Sequence, residues 1–174
     1  MSITREQVRP ISLTFEDDGL IPNSPLPLLI YKHAVNVAHG QPEKAIEDLF
    51  ASNGWGDMWR DGIYNYQHYH ANVHEVLGVA RGRGLVLFGG ESGEAVELMP
   101  GDVAILPAGT GHKKVFSSHD FMVIGAYPPG PAMQISRPTP DNYRAALQSI
   151  PKVALPQRDP VYGADGPMLR LWAA

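Results

Sequence analysis

The chain has 174 residues, with 14 Lys and Arg against 18 Asp and Glu, a net charge of −4 and no cysteine. A hydrophobic content of 44% supports a core of ordinary size and argues against disorder. The acidic balance, with no basic run longer than Lys113-Lys114, argues against a nucleic-acid partner, and the missing cysteines exclude disulfides and thiol chemistry.

The opening residues Met1 to Glu6 carry no apolar leader, and no stretch of about 20 apolar residues is available to span a membrane. A soluble, cytoplasmic protein is therefore expected, a setting that suits a chain without cysteine. Eighteen glycines and 16 prolines make up about a fifth of the chain, against a usual ~12%. With no collagen period or low-complexity block to absorb them, they point to a turn-rich all-β architecture in one domain over residues 1–174.

Ile11, Leu13 and Phe15 alternate with Ser12 and Thr14, and Leu28-Leu29-Ile30-Tyr31 follows a proline-punctuated stretch. Both read as short strands able to extend a sheet. His33 and His39 here read as ordinary surface or packed histidines. Pro42 to Asn53 is the clearest helix: Pro42 suits its first turn, Ile46, Leu49 and Phe50 share a face, and Gly54 supplies the stop. The run Gly54 to Trp59 reads as a tight loop whose two tryptophans either pack the core or wall a pocket.

From residue 62 to about 127 the chain reads as the core of a barrel. Strands are predicted at roughly 63–70, 74–81, 84–88, 95–98, 103–106, 112–117 and 121–127. Turn chemistry separates them at Gly82-Arg83-Gly84, at Gly89-Gly90-Glu91-Ser92-Gly93 and at Met99-Pro100-Gly101-Asp102. Short strands at regular spacing with no helix between them argue for a closed antiparallel sandwich or barrel. After Pro128-Pro129-Gly130 the chain is expected to leave the barrel. A helix starts at Thr139-Pro140, with Tyr143, Leu147 and Ile150 on one face, and ends at Pro151. Turns and a short apolar strand are expected to close the chain at Trp172.

The chemistry sits inside the barrel segment. His68 and His70 stand at i and i+2, a spacing that shares a face only on extended chain. Gly62, His68, His70, Glu75 and Gly82, followed by Gly101, Pro107, Gly109 and His112, form two spaced motifs that bring three histidines and one glutamate into play. Three imidazoles and a carboxylate make a plausible cage for one divalent transition-metal ion per chain: Mn, Fe, Co, Ni, Cu or Zn. Glu75 is preferred over the adjacent His74 because pleating sends the two to opposite faces, and Leu77 and Val79 then fill the interior better than Val76, Gly78 and Ala80 would. His74 is accordingly expected at the rim or surface. Tyr64 and Tyr66 share parity with the histidines and are the candidate acid/base or substrate-orienting groups, with plain core aromatics as the alternative.

These motifs resemble the cupin superfamily, whose small double-stranded β-helix barrels, of jelly-roll type, hold one divalent metal. The resemblance covers both motifs, and it implies His68, His70, Glu75 and His112 as the metal ligands. It departs at Phe116, where the second motif usually has an asparagine that is not a ligand. Gly54-Trp55, His68-Tyr69-His70, His74 to Val79, Gly125-Ala126-Tyr127-Pro128 and the tail Asp159 to Trp172 are similar to the YjlB-like group of small bacterial cupins. That closer resemblance sharpens the fold and leaves the reaction open.

An enzyme acting on a small oxygenated metabolite, by dioxygenation, decarboxylation or isomerisation, is the leading reading. A non-catalytic module binding a small ligand or metal, and a purely structural barrel, are the alternatives. A homodimer is expected by the resemblance, with Leu28-Leu29-Ile30-Tyr31 as the contributing edge. Lys114 shares the parity of His112, and since a buried lysine is costly the strand should bend and leave Lys114 exposed.

Overall fold

The structure is a computed structural model and describes residues 6–38 and 40–173; Met1–Arg5, His39 and Ala174 lie outside the described residues. Among the described residues nine strands form two antiparallel sheets. In chain order they are β1 (Ile11–Leu13), β2 (Leu28–Tyr31), β3 (Gly56–Asp61), β4 (Glu75–Arg81), β5 (Gly84–Phe88), β6 (Glu94–Leu98), β7 (Val103–Leu106), β8 (His112–Ser117) and β9 (Met122–Tyr127). One sheet has the order β1-β2-β7-β4-β9-β3 and the other β6-β5-β8. Leu28, Ile30, Leu77, Val79, Ala104, Leu106 and Val123 of the larger sheet form one buried cluster with Val86, Phe88 and Leu98 of the smaller. The barrel interior therefore lies between the sheets, as the alternation of side chains along each strand requires.

The opposite face of the larger sheet is also covered. Helix α1 (Pro42–Ser52) lays Ile46 and Phe50 on it, together with Trp55, Val76, Ala80, Ile124 and Ala126. Pro42 opens the helix and Gly54, at φ 80°, follows its end. The C-terminal segment completes that layer through Val161, Met168 and Trp172. There the expected apolar strand is a short helix, α3 (Pro167–Leu171), started by Pro167. Its first free N–H, on Met168, donates to the Asp159 carboxylate at 3.2 Å and the Tyr31 hydroxyl at 3.1 Å, partners a strand would not have met.

Three further expectations are corrected. The tight loop around Trp59 is strand β3, paired with β9 across a bulge where Asp57 takes φ 53°; the bulge breaks the alternation by which a strand is recognised. Residues 63–67 form no strand; the segment is tied down by isolated bridges, His68 to His112 and Tyr69 to Ser136, and by the Lys114 N–H donating to the Tyr64 carbonyl at 2.8 Å. The chain beyond Gly130 does not leave the barrel either, since Ser136 returns to pair with Tyr69. Helix α2 (Pro140–Ser149) follows, with the Thr139 hydroxyl accepting from the Asn142 N–H at 3.2 Å. It buries Ala146 and leaves Leu147 exposed, because its contact is with Ile21 and Tyr69 rather than with a broad core surface.

Leu28–Tyr31 is no edge for a neighbour. It is buried along its whole length between β1 and β7 of the same chain. Lys114 is half-buried, not exposed. The anticipated bend is a register shift in which Lys114 faces Val86 and Phe116 faces Leu85, and it throws Val115 and Phe116 outward.

Candidate metal centre

Strand ends at one mouth of the barrel carry the polar side chains. Glu75 begins β4, His112 begins β8 and Tyr127 ends β9, antiparallel to β4 and so at the same end. His68 and His70 are held beside them by backbone pairing. The His68 N–H donates to the His112 carbonyl at 3.2 Å and the His112 N–H to the His68 carbonyl at 2.9 Å. Tyr69 turns the other way, into the cluster with Ile21 and Ala146. The i, i+2 geometry thus survives over three extended residues without a regular strand around them.

Each of the three rings has its Nδ1 against a backbone carbonyl: His68 to Tyr66 at 2.9 Å, His70 to Gln134 at 2.9 Å and His112 to Thr110 at 3.1 Å. A carbonyl only accepts, so in each neutral ring the proton sits on Nδ1 and donates, leaving a bare lone pair on Nε2. One nitrogen from each of the three buried rings falls within 4.8 Å of the others. Glu75, also buried, presents Oε2 at 3.2 Å from His70 Nε2 and Oε1 at 3.4 Å from His112 Nε2. The Tyr127 hydroxyl donates to Oε2 at 2.7 Å, while Oε1 has no hydrogen-bond partner.

Lone pairs and a carboxylate facing one another out of water repel unless a cation stands among them. A proton or a metal ion would serve. Burial alone would raise the Glu75 carboxyl, but the His70 and His112 imidazoles hold it well below the ordinary carboxylate range. Burial works against a charged His70, yet the Glu75 carboxylate and the Gln134 carbonyl hold that ring above its ordinary value. His68 has no such support, and burial with His112 beside it brings it down to about 3. Without a metal, a proton on the His70–Glu75 pair is the charge that balances the centre. Three imidazole nitrogens within 4.8 Å of one another could hold a metal ion, and the three carbonyls that set the tautomers supply the outer support such a site needs.

The sequence did not single out Tyr127; Trp59, expected to pack the core or wall a pocket, lines the cavity. The Trp59 indole N–H donates to the Tyr127 oxygen at 2.8 Å, so Trp59, Tyr127 and Glu75 form one hydrogen-bonded chain. Gly125 makes room for it: a Cβ there would stand 2.0–2.4 Å from the indole. The signal was the cross-strand register. Val76 pairs with Ala126, which sets Glu75 opposite Tyr127. Burial and the Glu75 carboxylate push the Tyr127 hydroxyl far above its ordinary range, so it stays a donor.

The remaining candidates are placed as follows. Tyr64 lines the cavity at its mouth and is half exposed, with its ring stacked on Tyr66 at 4.9 Å. Tyr66 does not line the cavity, and the Arg137 guanidinium lies 3.8 Å over its ring. His74 points away from the centre but is buried rather than at the rim. Its ring packs against Trp172 at 4.9 Å and its Nδ1 accepts the Ala108 N–H at 2.9 Å. The C-terminal layer that covers it could not be placed from strand parity.

The cavity beside the histidines has a volume of about 310 Å³, walled by Trp59, Ile63, Leu77, Met133 and Ile135. The molecule is thus a small antiparallel barrel in which a buried histidine cluster that could hold a metal ion opens into an apolar cavity. The chain belongs to the cupin family, whose model matches residues 32–156. It is 40% identical over 159 residues to the uncharacterized protein YjlB of Bacillus subtilis (strain 168), covering 91% of this chain and 93% of that one. Among solved structures it is similar to an acireductone dioxygenase from Bacillus anthracis with a cadmium ion in the active centre (TM-score 0.40, 19% identity, 61% of this chain and 80% of that one). It is also similar to YcfD, a ribosomal oxygenase from Escherichia coli in complex with cobalt and succinic acid (TM-score 0.40, 16% identity, 60% and 32%). Likenesses at this level carry no functional argument.

Proposed function

We propose that the protein is a divalent-metal cupin in which His68, His70 and His112 through Nε2, and Glu75 through Oε1, hold one ion of the Mn, Fe, Co, Ni, Cu or Zn group. The observation that carries this reading is the group of three buried imidazoles with their tautomers already set, with the unpartnered Glu75 Oε1 3.4 Å from the His112 Nε2. When bound, such an ion supplies Lewis-acid or redox chemistry toward the oxygens of a small metabolite, in a dioxygenase-, decarboxylase- or isomerase-type reaction. The chain's own residues do the rest. Tyr127 holds Glu75 in one orientation, Trp59 holds Tyr127, and the apolar walls exclude water from one side of the centre.

A non-catalytic ligand-binding module is the second reading. It is favoured by one observation: among the described residues the only carboxylate lining the cavity apart from Glu75 is Asp61, whose Oδ1 accepts the Gly62 N–H at 2.7 Å. Metal analysis of the dialysed protein, with oxygen uptake and small-acid turnover measured on the loaded form, separates the two. About one ion per chain with turnover supports the enzyme, and one ion without turnover supports the module. Absence of metal ends the enzyme reading and leaves only a module that binds a small ligand without an ion.

We also infer a cytoplasmic homodimer. Among the described residues no helix is long and apolar enough to cross a membrane, and β1 leaves one edge of the larger sheet unpaired within the chain. A clean 19 kDa species in sedimentation would contradict the dimer.

A further inference from the structure

We propose that the cavity takes a monoanionic acid with a hydrocarbon body, of the 2-oxo acid or enol type, and discriminates against dicarboxylates and phosphorylated sugars. The inference rests on the metal reading above and concerns what the rest of the cavity can hold.

Among the described residues Arg60 is the only lysine or arginine lining the cavity, and its guanidinium is spent on α1: Nη2 lies 2.6 Å from Glu47 Oε1 and Nε lies 2.9 Å from Glu47 Oε2. Arg137 lies over the Tyr66 ring, outside the lining. The charged side chains that remain, Asp61 and Glu75, are acidic. A ligand anion must therefore be neutralised at the metal centre alone, where Glu75 has already reduced a divalent ion to a formal +1. One carboxylate or enolate satisfies that charge. A second anionic group would face Ile63, Leu77, Met133 and Ile135 with nothing to pair it, and burying a charge against hydrocarbon is strongly unfavourable.

Size agrees with this. About 310 Å³ is roughly ten water volumes, enough for an oxygenated head of a few atoms and a branched alkyl or aryl body. The same walls that repel a second charge reward that body by removing it from water.

The test uses the full-length protein loaded with Co(II). Metal content is measured on every sample, and binding is followed by the Co(II) absorption spectrum and by calorimetry. The probes are 4-methyl-2-oxopentanoate and phenylpyruvate against 2-oxoglutarate, oxalate and ribose 5-phosphate. The two apolar acids are expected to bind at least 10-fold tighter than the three polyanions. In Ile135→Lys, at the exposed mouth, the margin against 2-oxoglutarate is expected to shrink by about 10-fold. A protein that holds no cobalt overturns the metal reading and this inference together. A loaded protein that binds none of the probes, or binds a polyanion as well as the apolar acids, overturns this inference alone.

Discussion

Two histidine environments lie back to back across the start of β4, and they differ in every respect except burial. His74 is 3% exposed, and His68, His70 and His112 are 4%, 5% and 2%. Burial therefore does not distinguish a structural histidine from a candidate ligand. In His74 it is Nδ1 that accepts, from the Ala108 N–H, so the neutral ring carries its proton on Nε2 against the Trp172 layer. In the other three Nδ1 donates to a carbonyl, which leaves Nε2 bare, and in His70 and His112 that Nε2 faces the Glu75 carboxylate. The partner of one nitrogen decides what the other can do.

The sharpest way to break this comparison is to remove donors one at a time. His68→Ala, His112→Ala and Glu75→Ala are each expected to lower metal affinity by more than ~100-fold, since in the proposed site each would remove a direct ligand, where loss of an outer partner alone costs about 10–100-fold. His74→Ala should keep its metal, because its ring lies on the other face of the sheet. Elemental analysis after dialysis checks the set, and equal metal content across all five proteins would erase the distinction.

His74→Ala should instead weaken the fold. It leaves the buried Ala108 N–H without its acceptor and opens space beside Trp172, together costing about 2–4 kcal/mol in urea unfolding. A midpoint unchanged from the parent protein would show that the C-terminal layer does not depend on this histidine.

Tyr127→Phe removes one hydroxyl and little volume, so its effect belongs to Glu75. Metal affinity is expected to fall about 10-fold, with a change in the Co(II) spectrum as Glu75 loses its fixed orientation. Gly125→Ala should act on the same chain of hydrogen bonds from one step further out, by forcing the Trp59 indole off Tyr127. It should cost roughly 1–3 kcal/mol of stability and a smaller part of the metal affinity. Spectra identical to the parent in both variants would show that Tyr127 and Trp59 do not position Glu75.

Acid provides a graded version of the comparison. The ligands bind metal only when deprotonated. The ring held above its ordinary value is His70, paired with Glu75, while His68 is already held low. Lowering the pH favours the proton on the His70–Glu75 pair over the ion, so affinity should fall steadily from pH 7 to pH 5 and recover on return. Chelator competition across that range measures it, and a flat profile would mean that no proton is displaced on binding.

Much of the barrel was legible from local signals. Turn glycines and prolines marked the ends of β4 to β9, whose observed limits lie close to the expected ones, and parity set Leu77 and Val79 on the same side as Glu75. The readings failed where the chain departs from regular pairing. At β3, Asp57 and the neighbouring bulge hid a strand, and at 63–67 alternation suggested a strand where only isolated bridges form nearby. Alternation reports which way side chains point, not whether a ladder partner exists.

By itself the sequence determined an all-β barrel and pointed to the grouping of His68, His70 and His112, with Glu75 beside the last two, because period-2 alternation and turn chemistry act over a few residues and are written in residue order. Only the tertiary structure decided which carbonyls set the imidazole tautomers, that Tyr127 rather than Tyr64 or Tyr66 touches Glu75, and that Gln134, Met133 and Ile135 return to the mouth of the barrel. Those outcomes depend on groups 52 and 64 residues apart meeting at hydrogen-bond distance. No local preference encodes such meetings; they follow from how the sheets pair and the terminal segments pack.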